Sequence, residues 1–534
     1  MVNWCIIRLF LLFAFVATYP ATWAAEPLRQ NLNINRDWKF KMGDFVGGAS
    51  PVIDDSAWDA VNLPHSFDLP YFKSNDFYVG YGWYRKCLAI KPEWISKRLS
   101  VEFDGAFQDA EVYVNGTRIG EHKGGFTGFS MDITDALHAG NNILAVRLNN
   151  NWNARIEPRS GDHTFMGGIY RDVRLVVTDP LHVTWYGTFV TTPTVTANSA
   201  TVNVKTEIAN ESATVKNCTV VTELLDPDGK AVEHLSSTLT VLAGATTTFD
   251  QTSAEISSPK LWHPAHPSLY TAVTTVCDSA KPVDSYQTTF GIRSIKWTAD
   301  RGFFINDEHF YFHGANVHQD HAGWGDAVTD AGAFRDVKLV KAAGRDFIRG
   351  SHYPHHPAFA DACDKLGILF WSENCFWGMG RGKKEGSWMT SDAYPPDPDD
   401  QGPFEQNALD TLRDEIRILR NHPSIIVWSM CNEVFFSDHL DKVRALLTKL
   451  VDESHQLDPT RPAAIGGCQR GSLDKLGDVA GYNGDGARLP DFQNPGIPNA
   501  VSEYAGHISD RGDAATDTYD GMFNIGALSA TTPE

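Results

Sequence analysis

The sequence predicts three consecutive domains, two all-β sandwiches followed by a (β/α)8 TIM barrel. Up to about residue 290, short alternating apolar runs are separated by Gly, Asn and Asp, which is typical of β-sandwiches. After residue 293, apolar strands alternate with segments of helical periodicity, which indicates a parallel sheet covered by helices. A length of 534 residues accommodates three such domains.

The two sandwiches are predicted at 26–180 and 181–292. In the first, Val112 and Val114 alternate with Glu111 and Tyr113 ahead of an Asn-Gly turn. The composition changes near residue 180, where a stretch rich in Thr, Val and Ala begins. The length of this second region predicts a sandwich of about immunoglobulin size.

The region 293–534 predicts the barrel. Helices are expected at 330–344, 358–367, 404–423 and 439–454 from apolar residues at spacings of three and four. Seven short apolar strands accompany them, at 309–318, 346–354, 368–374, 424–434, 463–467, 478–484 and 499–506. Strands and helices in this alternation favour a (β/α)8 barrel.

The barrel is predicted to lack its last strand and helix. Only 31 residues follow Glu503, and they are too few and too polar to supply a helix, a final strand and a last helix. An open barrel leaves apolar edges and an unpaired strand exposed. We therefore expect low solubility or weak activity from the chain as it stands.

The first 25 residues predict a secretory signal peptide. Arg8 precedes an apolar stretch at 9–16, and small residues lead to Ala24 and Ala25. An uncleaved anchor is the alternative, but the apolar stretch is short for a spanning helix. The sequence thus predicts a secreted or periplasmic protein without a later membrane span.

Charge and cysteine content narrow the function classes. A net charge of -20 argues against nucleic acid as a partner, because phosphate binding needs a basic surface. The cysteines show no CxxC spacing, so a zinc site is not expected. Cys218 and Cys277 fall in one predicted sandwich, where a disulfide and two free thiols both stay open.

Polar residues follow most of the predicted barrel strands. They are His318, His352, Glu373, Asn432 with Glu433, Tyr482 and Glu503. The carboxyl ends of barrel strands meet on one face, where active sites lie. The convergence of these residues predicts a catalytic pocket.

Glu433 and Glu503 suit glycosidic bond cleavage, in which one carboxyl group donates a proton and another attacks the anomeric carbon. The sequence leaves open whether the pair retains or inverts the configuration. The histidine-rich stretches "HQDH" and "SHYPHHP" allow a metal-dependent hydrolase as a less favoured alternative, since neither has the HExxH arrangement.

A series of ordered motifs resembles family 2 glycoside hydrolases, the family of β-galactosidases, β-glucuronidases and β-mannosidases. The resemblance covers nearly the whole chain after the leader. Its motifs are "DWKF", "DDSAWDAVNLPHSF", "FDGAFQDAEVYVNG", "MGGIYRDVRL", "FGIRSI", "FHGANVHQD", "IRGSHYP", "NHPSIIVWSMCNEV" and "VSEYAG".

The resemblance implies a jelly-roll sandwich, an immunoglobulin-like sandwich and a barrel that hydrolyses with retention. It implies that Glu433 is the acid/base and Glu503 the nucleophile. It further implies that Asn432 binds the 2-hydroxyl of the sugar, and that Arg349 steadies the nucleophile.

For other positions the resemblance implies roles in lining the pocket. They are His318 and His352 beside the sugar, Tyr482 with its hydroxyl in reach of the nucleophile, and Asp162 contributed by the first sandwich. Glu373 matches only a strand-end position and receives no role.

The expected activity is that of an exo-acting β-glycosidase on terminal β-linked sugars, with β-D-galactosides favoured. β-Glucuronidase, β-mannosidase and a non-catalytic carbohydrate-binding protein are the alternatives. The stretch "SENCFWGMG" lacks the acidic residue and His that bind magnesium in large β-galactosidases, so neither metal nor cofactor is expected. A homo-oligomer stays open.

Overall fold

A computed structural model of the protein describes residues 27–70, 77–161, 163–378, 385–388, 390–469, 471, 473–483 and 496–503. It confirms the predicted architecture of two β-sandwiches and a parallel barrel sheet. The expected signal peptide, Asp162 and the segment after Glu503 lie outside the described residues.

The first sandwich consists of two antiparallel sheets, in the orders β1-β10-β5-β8 and β3-β2-β4-β9-β6-β7. Its strands are β1 Gln30–Asn33, β2 Trp38–Met42, β3 Asp59–Val61, β4 Tyr81–Ile90, β5 Arg98–Phe103, β6 Asp109–Val114, β7 Thr117–Lys123, β8 Phe129–Asp132, β9 Gly140–Asn149 and β10 Val173–Thr178. Alternate residues of β5 and β6 are buried between the sheets, as the sequence pattern predicts.

The second sandwich has sheets in the orders β11-β12-β15 and β14-β13-β19-β20. Its strands are β11 Leu181–Val195, β12 Ser199–Asn210, β13 Lys216–Leu225, β14 Ala231–Val241, β15 Ala245–Thr252, β16 Ile256–Ser257, β17 Trp262–His263, β18 His266–Pro267, β19 Tyr270–Asp278 and β20 Lys281–Phe290. Of the short strands, β16 pairs with β12, and β17 pairs with β18.

Cys218 and Cys277 are free thiols in this sandwich. Cys277 lies opposite Thr219, one residue away from Cys218, on the neighbouring strand. Because successive side chains of a strand point to opposite faces, the two sulfurs lie on opposite sides of the sheet. Of the two alternatives left open, the structure therefore contains the free thiols.

A small antiparallel sheet of β21 Ile295–Thr298, β22 Gly302–Ile305 and β23 Glu308–His309 precedes the barrel. Its side chains Phe303 and Ile305 pack with Phe347 and Leu369, the first residues of two barrel strands. This sheet covers the amino-terminal end of the barrel, so the carboxyl end is left for a site.

Within the described residues, the barrel sheet contains seven parallel strands in sequence order. They are β24 Gly314–Val317, β25 Phe347–Gly350, β26 Leu369–Glu373, β27 Ile425–Ser429, β28 Ala463–Cys468, β29 Val479–Asn483 and β30 Asn499–Glu503. The first predicted strand, 309–318, is divided in the structure, because its start pairs within the small sheet and only its end joins the barrel.

In the part of the chain that the structure describes, four helices follow the strands: α1 Asp330–Ala342, α2 Pro357–Leu366, α3 Pro398–Leu419 and α4 Leu440–Leu457. Helix α2 ends at Gly367 with φ of 67°, a left-handed conformation that glycine adopts without strain. Helix α3 begins six residues before the predicted start, with Asp397 as its N-cap. None of the described helices is both long and apolar enough to cross a membrane.

Strand β27 explains the uninterrupted apolar run before Asn432. All five of its residues are buried. Trp428 packs in the cluster between sheet and helices, whereas Val427 packs in the cluster inside the barrel. A parallel strand covered on both faces therefore needs apolar residues at every position.

A loop of the first sandwich is packed against the barrel and buries two carboxyl groups, Glu157 and Glu415. The backbone N–H of Glu157 donates to Asn407 Oδ1 at 2.9 Å, and Ser372 Oγ donates to Glu415 Oε1 at 2.6 Å. Within the described residues Oε2 of Glu415 has no hydrogen-bond partner, and the neighbouring Thr411 and Asn374 only partly offset the burial of the Glu157 carboxyl group. Burial raises the pKa of each group to about 8, and the Glu415 charge adds to the shift of Glu157.

These two groups predict a loss of stability with rising pH. Their folded pKa lies above the ordinary value of 4.5, so the folded protein holds more protons than the unfolded chain between pH 4.5 and about 8. The unfolding free energy should fall by up to about 1.4 kcal/mol per pH unit and per group in that window. Melting temperatures from circular dichroism at pH 5, 6.5 and 8 measure the slope.

The variants E157Q and E415Q should each melt with a shallower pH dependence than the wild type. The exposed Glu93 supplies a control, because E93Q should leave the slope unchanged. Parallel melting curves for E157Q, E415Q and the wild type across this pH range would contradict the prediction.

Candidate active site

The carboxyl ends of the barrel strands bring five predicted site residues into one network of contacts, in which Glu373 and Asn483 link His352 and Glu433 to the others. Arg349 lies on β25 and His352 follows it, Asn432 and Glu433 follow β27, and Glu503 is the last residue of β30. Glu373, the last residue of β26, lies at the centre of the group and is fully buried.

Arg349 and Glu373 form a buried ion pair. Arg349 Nε donates to Glu373 Oε2 at 3.0 Å, and its Nη2 donates to Oε1 at 2.9 Å. Ser429 Oγ and Trp371 Nε1 also donate to Glu373 Oε2, at 2.9 Å and 3.3 Å. Burial raises the pKa of Glu373, and the guanidinium and these donors oppose that shift.

The same guanidinium orients two further site residues. Arg349 Nη1 donates to Glu503 Oε2 at 3.2 Å, and Nη2 donates to Asn432 Oδ1 at 2.8 Å. The planar guanidinium holds its donors in fixed directions, so the positions of Glu503 and Asn432 are coupled through Arg349. The contact between Arg349 and Glu503 is the one that the family resemblance implies.

Glu433 leaves β27 in an unusual backbone conformation. Its φ of 51° lies in the left-handed region, and a 3-10 turn at Val434–Phe436 follows directly. Just before it, the backbone N–H of Asn432 donates to Phe376 O at 3.1 Å. The chain therefore turns sharply where the apolar strand ends, and Glu433 stays partly exposed in the pocket.

Asn483 contacts both candidate catalytic carboxylates, and it was not among the site residues predicted from the sequence. Its Nδ2 lies 2.6 Å from Glu503 Oε2 and 3.2 Å from Glu433 Oε1. Because both oxygens contact one nitrogen, they lie within about 6 Å of each other, a spacing that bears on the stereochemistry of glycosidases. Ser502 Oγ donates to Asn483 Oδ1 at 2.8 Å, which orients the amide.

Tyr482 does not occupy the predicted position beside the nucleophile. Its hydroxyl donates to Asp474 Oδ2 at 3.0 Å, and its ring packs in the cluster between sheet and helices. Side chains alternate along β29, so Asn483 points into the pocket where Tyr482 was expected. The sequence contained a signal for this: Asn483 directly follows Tyr482, and adjacent side chains of a strand point to opposite faces.

The two predicted histidines lie at the pocket. His352 Nδ1 contacts Glu373 Oε1 at 2.8 Å, and burial followed by the nearby Arg349 charge lowers the pKa of His352 well below 6.5. His318 Nδ1 contacts the hydroxyl of Tyr353 at 3.2 Å. The centroids of the two imidazole rings are 5.4 Å apart, so they form one wall.

The first sandwich contributes an aromatic surface to this wall. Phe107, Phe126, Phe165 and Tyr170 pack with Tyr353 of the barrel, and Arg171 Nη2 donates to Gln319 Oε1 and to Pro354 O, both at 2.9 Å. Asp162, the residue predicted from this domain, lies outside the described residues. The neighbouring His163 stacks on Trp377 of the barrel.

One group in the described part of the chain has the composition of a metal site: Asp361, Asp364 and His422. Asp364 there accepts hydrogen bonds from Ser424 N at 3.0 Å, and it lies 2.6 Å from His422 Nδ1. Ser424 directly precedes β27, so the group lies at the amino end of the sheet, away from the carboxylate pair. These hydrogen bonds give Asp364 and His422 a structural role, in which they hold the residues before β27 against α2.

Comparisons with known proteins place all three domains in one family. Residues 16–180 match the family model "Glycosyl hydrolases family 2, sugar binding domain" and 182–293 match "Glycosyl hydrolases family 2". Residues 297–478 match "Glycosyl hydrolases family 2, TIM barrel domain". The predicted family is thereby confirmed.

Similar proteins carry two kinds of name. A putative β-glucuronidase of Formosa agariphila is 32% identical and aligns with 82% of this chain and 51% of its own length. A β-galactosidase of Bacteroides ovatus is 32% identical over 89% of this chain and 58% of its own. The crystal structure of a Bacteroides uniformis β-glucuronidase superimposes with a TM-score of 0.81 at 32% identity, covering 89% of this chain and 59% of that chain. The chain spans little more than half the length of these relatives.

The buried pair of Arg349 and Glu373 predicts a non-additive double-variant cycle. R349M leaves the Glu373 carboxylate buried without its cation, which should cost about 3–5 kcal/mol of unfolding free energy. R349M/E373Q removes both charges and should recover most of that loss. Denaturant unfolding followed by circular dichroism measures the cycle.

The partly exposed pair of Arg413 and Glu453 is the comparison, and R413M should cost less than about 1 kcal/mol. Additive losses in R349M, E373Q and their combination would show that the buried pair is not coupled.

Proposed function

We propose that this chain, which belongs to glycoside hydrolase family 2, is a retaining, exo-acting β-glycosidase that cleaves terminal β-linked sugars. The observation that carries the proposal is the carboxylate pair of Glu433 and Glu503, bridged by the amide of Asn483. One oxygen of each group lies within about 6 Å of the other, so both carboxyl groups can reach the same glycosidic bond.

Glu503 has the environment of the nucleophile. Its Oε2 accepts hydrogen bonds from the Arg349 guanidinium and the Asn483 amide, and the two donors fix the direction of the carboxylate. In the first step this oxygen attacks the anomeric carbon from the face opposite the leaving group. A covalent glycosyl-enzyme intermediate forms, with its new bond to Glu503.

Glu433 serves as acid and then as base. In the first step its carboxyl proton is transferred to the leaving glycosidic oxygen. In the second step the resulting carboxylate takes a proton from water, and the water oxygen attacks the anomeric carbon and releases Glu503. Two inversions at one carbon yield the retained β-anomer.

Asn432 is positioned to bind a sugar hydroxyl with its amide N–H2 group. Its Oδ1 accepts from Arg349 Nη2 at 2.8 Å and from Asn483 Nδ2 at 3.2 Å, so the oxygen side of the amide is engaged by the protein. The opposite side is a pair of donors. Donation to the 2-hydroxyl next to the reacting carbon strengthens in the transition state.

A neutral sugar such as a β-D-galactoside is the proposed substrate. Burial lowers the pKa of His352 and of His163 well below 6.5, so both imidazoles of the wall are neutral near pH 7. Two permanent cations are among the described pocket residues named above. Arg349 is engaged by Glu373, Glu503 and Asn432, and Arg171 is engaged by Gln319 and the backbone carbonyl of Pro354. A sugar carboxylate would need a further cation for its recognition.

A β-glucuronide is the second candidate substrate. It is supported by the names of relatives, since the Formosa agariphila and Bacteroides uniformis proteins are called β-glucuronidases. Export is part of the proposal, because residues 1–25 have the pattern of a cleaved signal peptide.

Azide should distinguish the roles of the two carboxylates. E433A and E503A should each lose at least about 100-fold in turnover of an aryl β-galactoside, because each loses a group that reacts. Sodium azide should rescue both, giving a β-glycosyl azide from E433A and an α-glycosyl azide from E503A. Proton NMR of the products measures the configuration, with E93Q as the surface control.

Identical product configurations from both variants, or full activity in either, would exclude the assigned roles.

A panel of aryl β-glycosides should identify the sugar. The wild type should cleave the neutral β-galactoside with a higher kcat/KM than the β-glucuronide, because the wall residues His163 and His352 are uncharged, and the β-mannoside tests the other neutral sugar. The release of nitrophenol measures each rate. A preference for the glucuronide would replace the galactoside as the substrate and leave the hydrolytic mechanism in place.

A further inference from the structure

An open cleft of about 530 Å³ lies where the three domains meet. Strands β7 and β8 of the first sandwich form one side of it, and Trp185 of the second sandwich and Asp414 of helix α3 form the other. Its volume falls within the range of 300–1,000 Å³ that is usual for small-molecule sites. We call it the three-domain cleft.

The three-domain cleft is separate from the carboxylate pocket. Helix α3 leads from the carboxyl end of β26 back to the amino end of β27. At 1.5 Å per residue, Asp414 lies about 24 Å along the helix from its first residue, Pro398, and close to its last, Leu419. The cleft therefore opens on the outer side of the barrel, toward the amino end of the sheet.

Hydrogen bonds on both sides of Asp414 hold the walls of the cleft in place. Asn407 Nδ2 donates to Lys123 O at 2.9 Å, which fixes the end of β7 on α3. Arg417 Nε donates to Trp185 O at 2.9 Å, which fixes the second sandwich on the same helix. A cleft that is formed in advance saves a ligand the cost of ordering its walls.

The apolar part of the cleft is flat and accessible. Phe129 is buried and stacks on His122, with ring centroids 4.3 Å apart and planes inclined by 15°. Trp185, Met131 and Ile119 are only partly buried, so their side chains reach solvent in the cleft. A partly exposed indole offers a flat apolar surface on which the C–H face of a pyranose ring can pack.

The cleft also offers accessible hydrogen-bonding groups. The Asp414 side chain is 31% exposed, and its carboxylate forms a hydrogen bond with none of the described residues. His122 Nε2, at 3.8 Å from Asp414 Oδ2, is too distant to be its partner. Ser130 adds a hydroxyl group.

The backbone supplies further donors and acceptors. Strands β7 and β8 are the outer members of their sheets in the described part of the chain. Outer strands carry N–H and C=O groups that no neighbouring strand engages. Donors and acceptors therefore alternate along this side of the cleft.

These groups select a neutral ligand. The carboxylates of Glu121, Asp132 and Asp414 line the cleft and repel an anion. Glu121 is paired with Arg118, and Asp132 with Arg98, so a cation would find one carboxylate without a partner of opposite charge. A cation would also leave the donors of the cleft unused, whereas a hydroxyl group both donates and accepts.

We propose that the three-domain cleft is a second saccharide site, which binds a short neutral oligosaccharide away from the reacting carboxylates. The sugar rings pack on Trp185, and their hydroxyls donate to Asp414 and to the carbonyl groups of the outer strands. The inference goes beyond the proposed function, because binding in the cleft requires neither Glu433 nor Glu503.

D414N tests the site because the amide keeps the shape of the carboxylate and removes its charge. Calorimetric titrations with β-1,4-galactotetraose use the full chain with E503A, so that the sugar is not hydrolysed. We expect two binding events, one in the pocket and one in the cleft, and D414N should weaken one of them roughly 10-fold. D410N is the matched control, since Asp410 is 54% exposed on the same helix outside the cleft.

W185A tests the apolar surface. It should weaken the same event at least about 10-fold, because the sugar rings lose their packing surface. Y311A is its control, since Tyr311 is 75% exposed and lies outside the cleft. Melting temperatures establish that the variants are folded, and D414N keeps the test decisive if W185A unfolds.

The ligand class is tested with tetragalacturonate and tetralysine, which should leave the cleft empty. Binding of either at the cleft as tightly as galactotetraose would overturn the assignment to a neutral saccharide. Equal titrations of D414N and D410N, or of folded W185A and Y311A, would overturn the site itself.

The same titrations separate the cleft from the proposed function. With Glu503 intact, D414N and W185A should cleave an aryl β-galactoside with the kcat/KM of the wild type. Absence of turnover in the wild type, together with an event that D414N weakens, would refute the glycosidase activity and support the cleft. Full turnover with a single event that D414N leaves unchanged would do the reverse.

Discussion

The arrangement of the pocket depends on the buried ion pair of Arg349 and Glu373. A guanidinium with no exposed surface needs its charge compensated, and Glu373 supplies this through two parallel hydrogen bonds. Once the guanidinium plane is set, its remaining N–H groups point to Glu503 and Asn432. Glu373 has no assigned role in the reaction, but through Arg349 it determines the positions of Glu503 and of the Asn432 amide.

A second level of organisation comes from the amide of Asn483. One nitrogen contacts both candidate catalytic carboxylates, and Ser502 orients that amide from its oxygen side. The strand that carries Asn483 pairs with the strand that carries Glu503, and the two residues are opposite in register. The position of Asn483 beside Glu503 thus follows from the register of β29 and β30.

The sandwiches are part of the site and of its stability. Aromatic residues of the first sandwich close the wall around His318 and Tyr353, and its loop also brings Glu157 into the interface with Glu415. Burying two carboxyl groups there has a cost that grows as they ionise. The interface that completes the pocket is accordingly expected to lose stability as the pH rises from 4.5 to about 8.

The sequence by itself determined the fold class, the strand ends that carry Glu433 and Glu503, and the family. Periodicity and strand-end chemistry are local properties, and each can be recognised from a short stretch of residues. What only the tertiary structure decided was which side chains meet: Glu373 with Arg349, Asn483 rather than Tyr482 with Glu503, and His163 with Trp377. These contacts join residues up to some two hundred positions apart, and they depend on strand register, side-chain alternation and domain packing, which a local pattern does not contain.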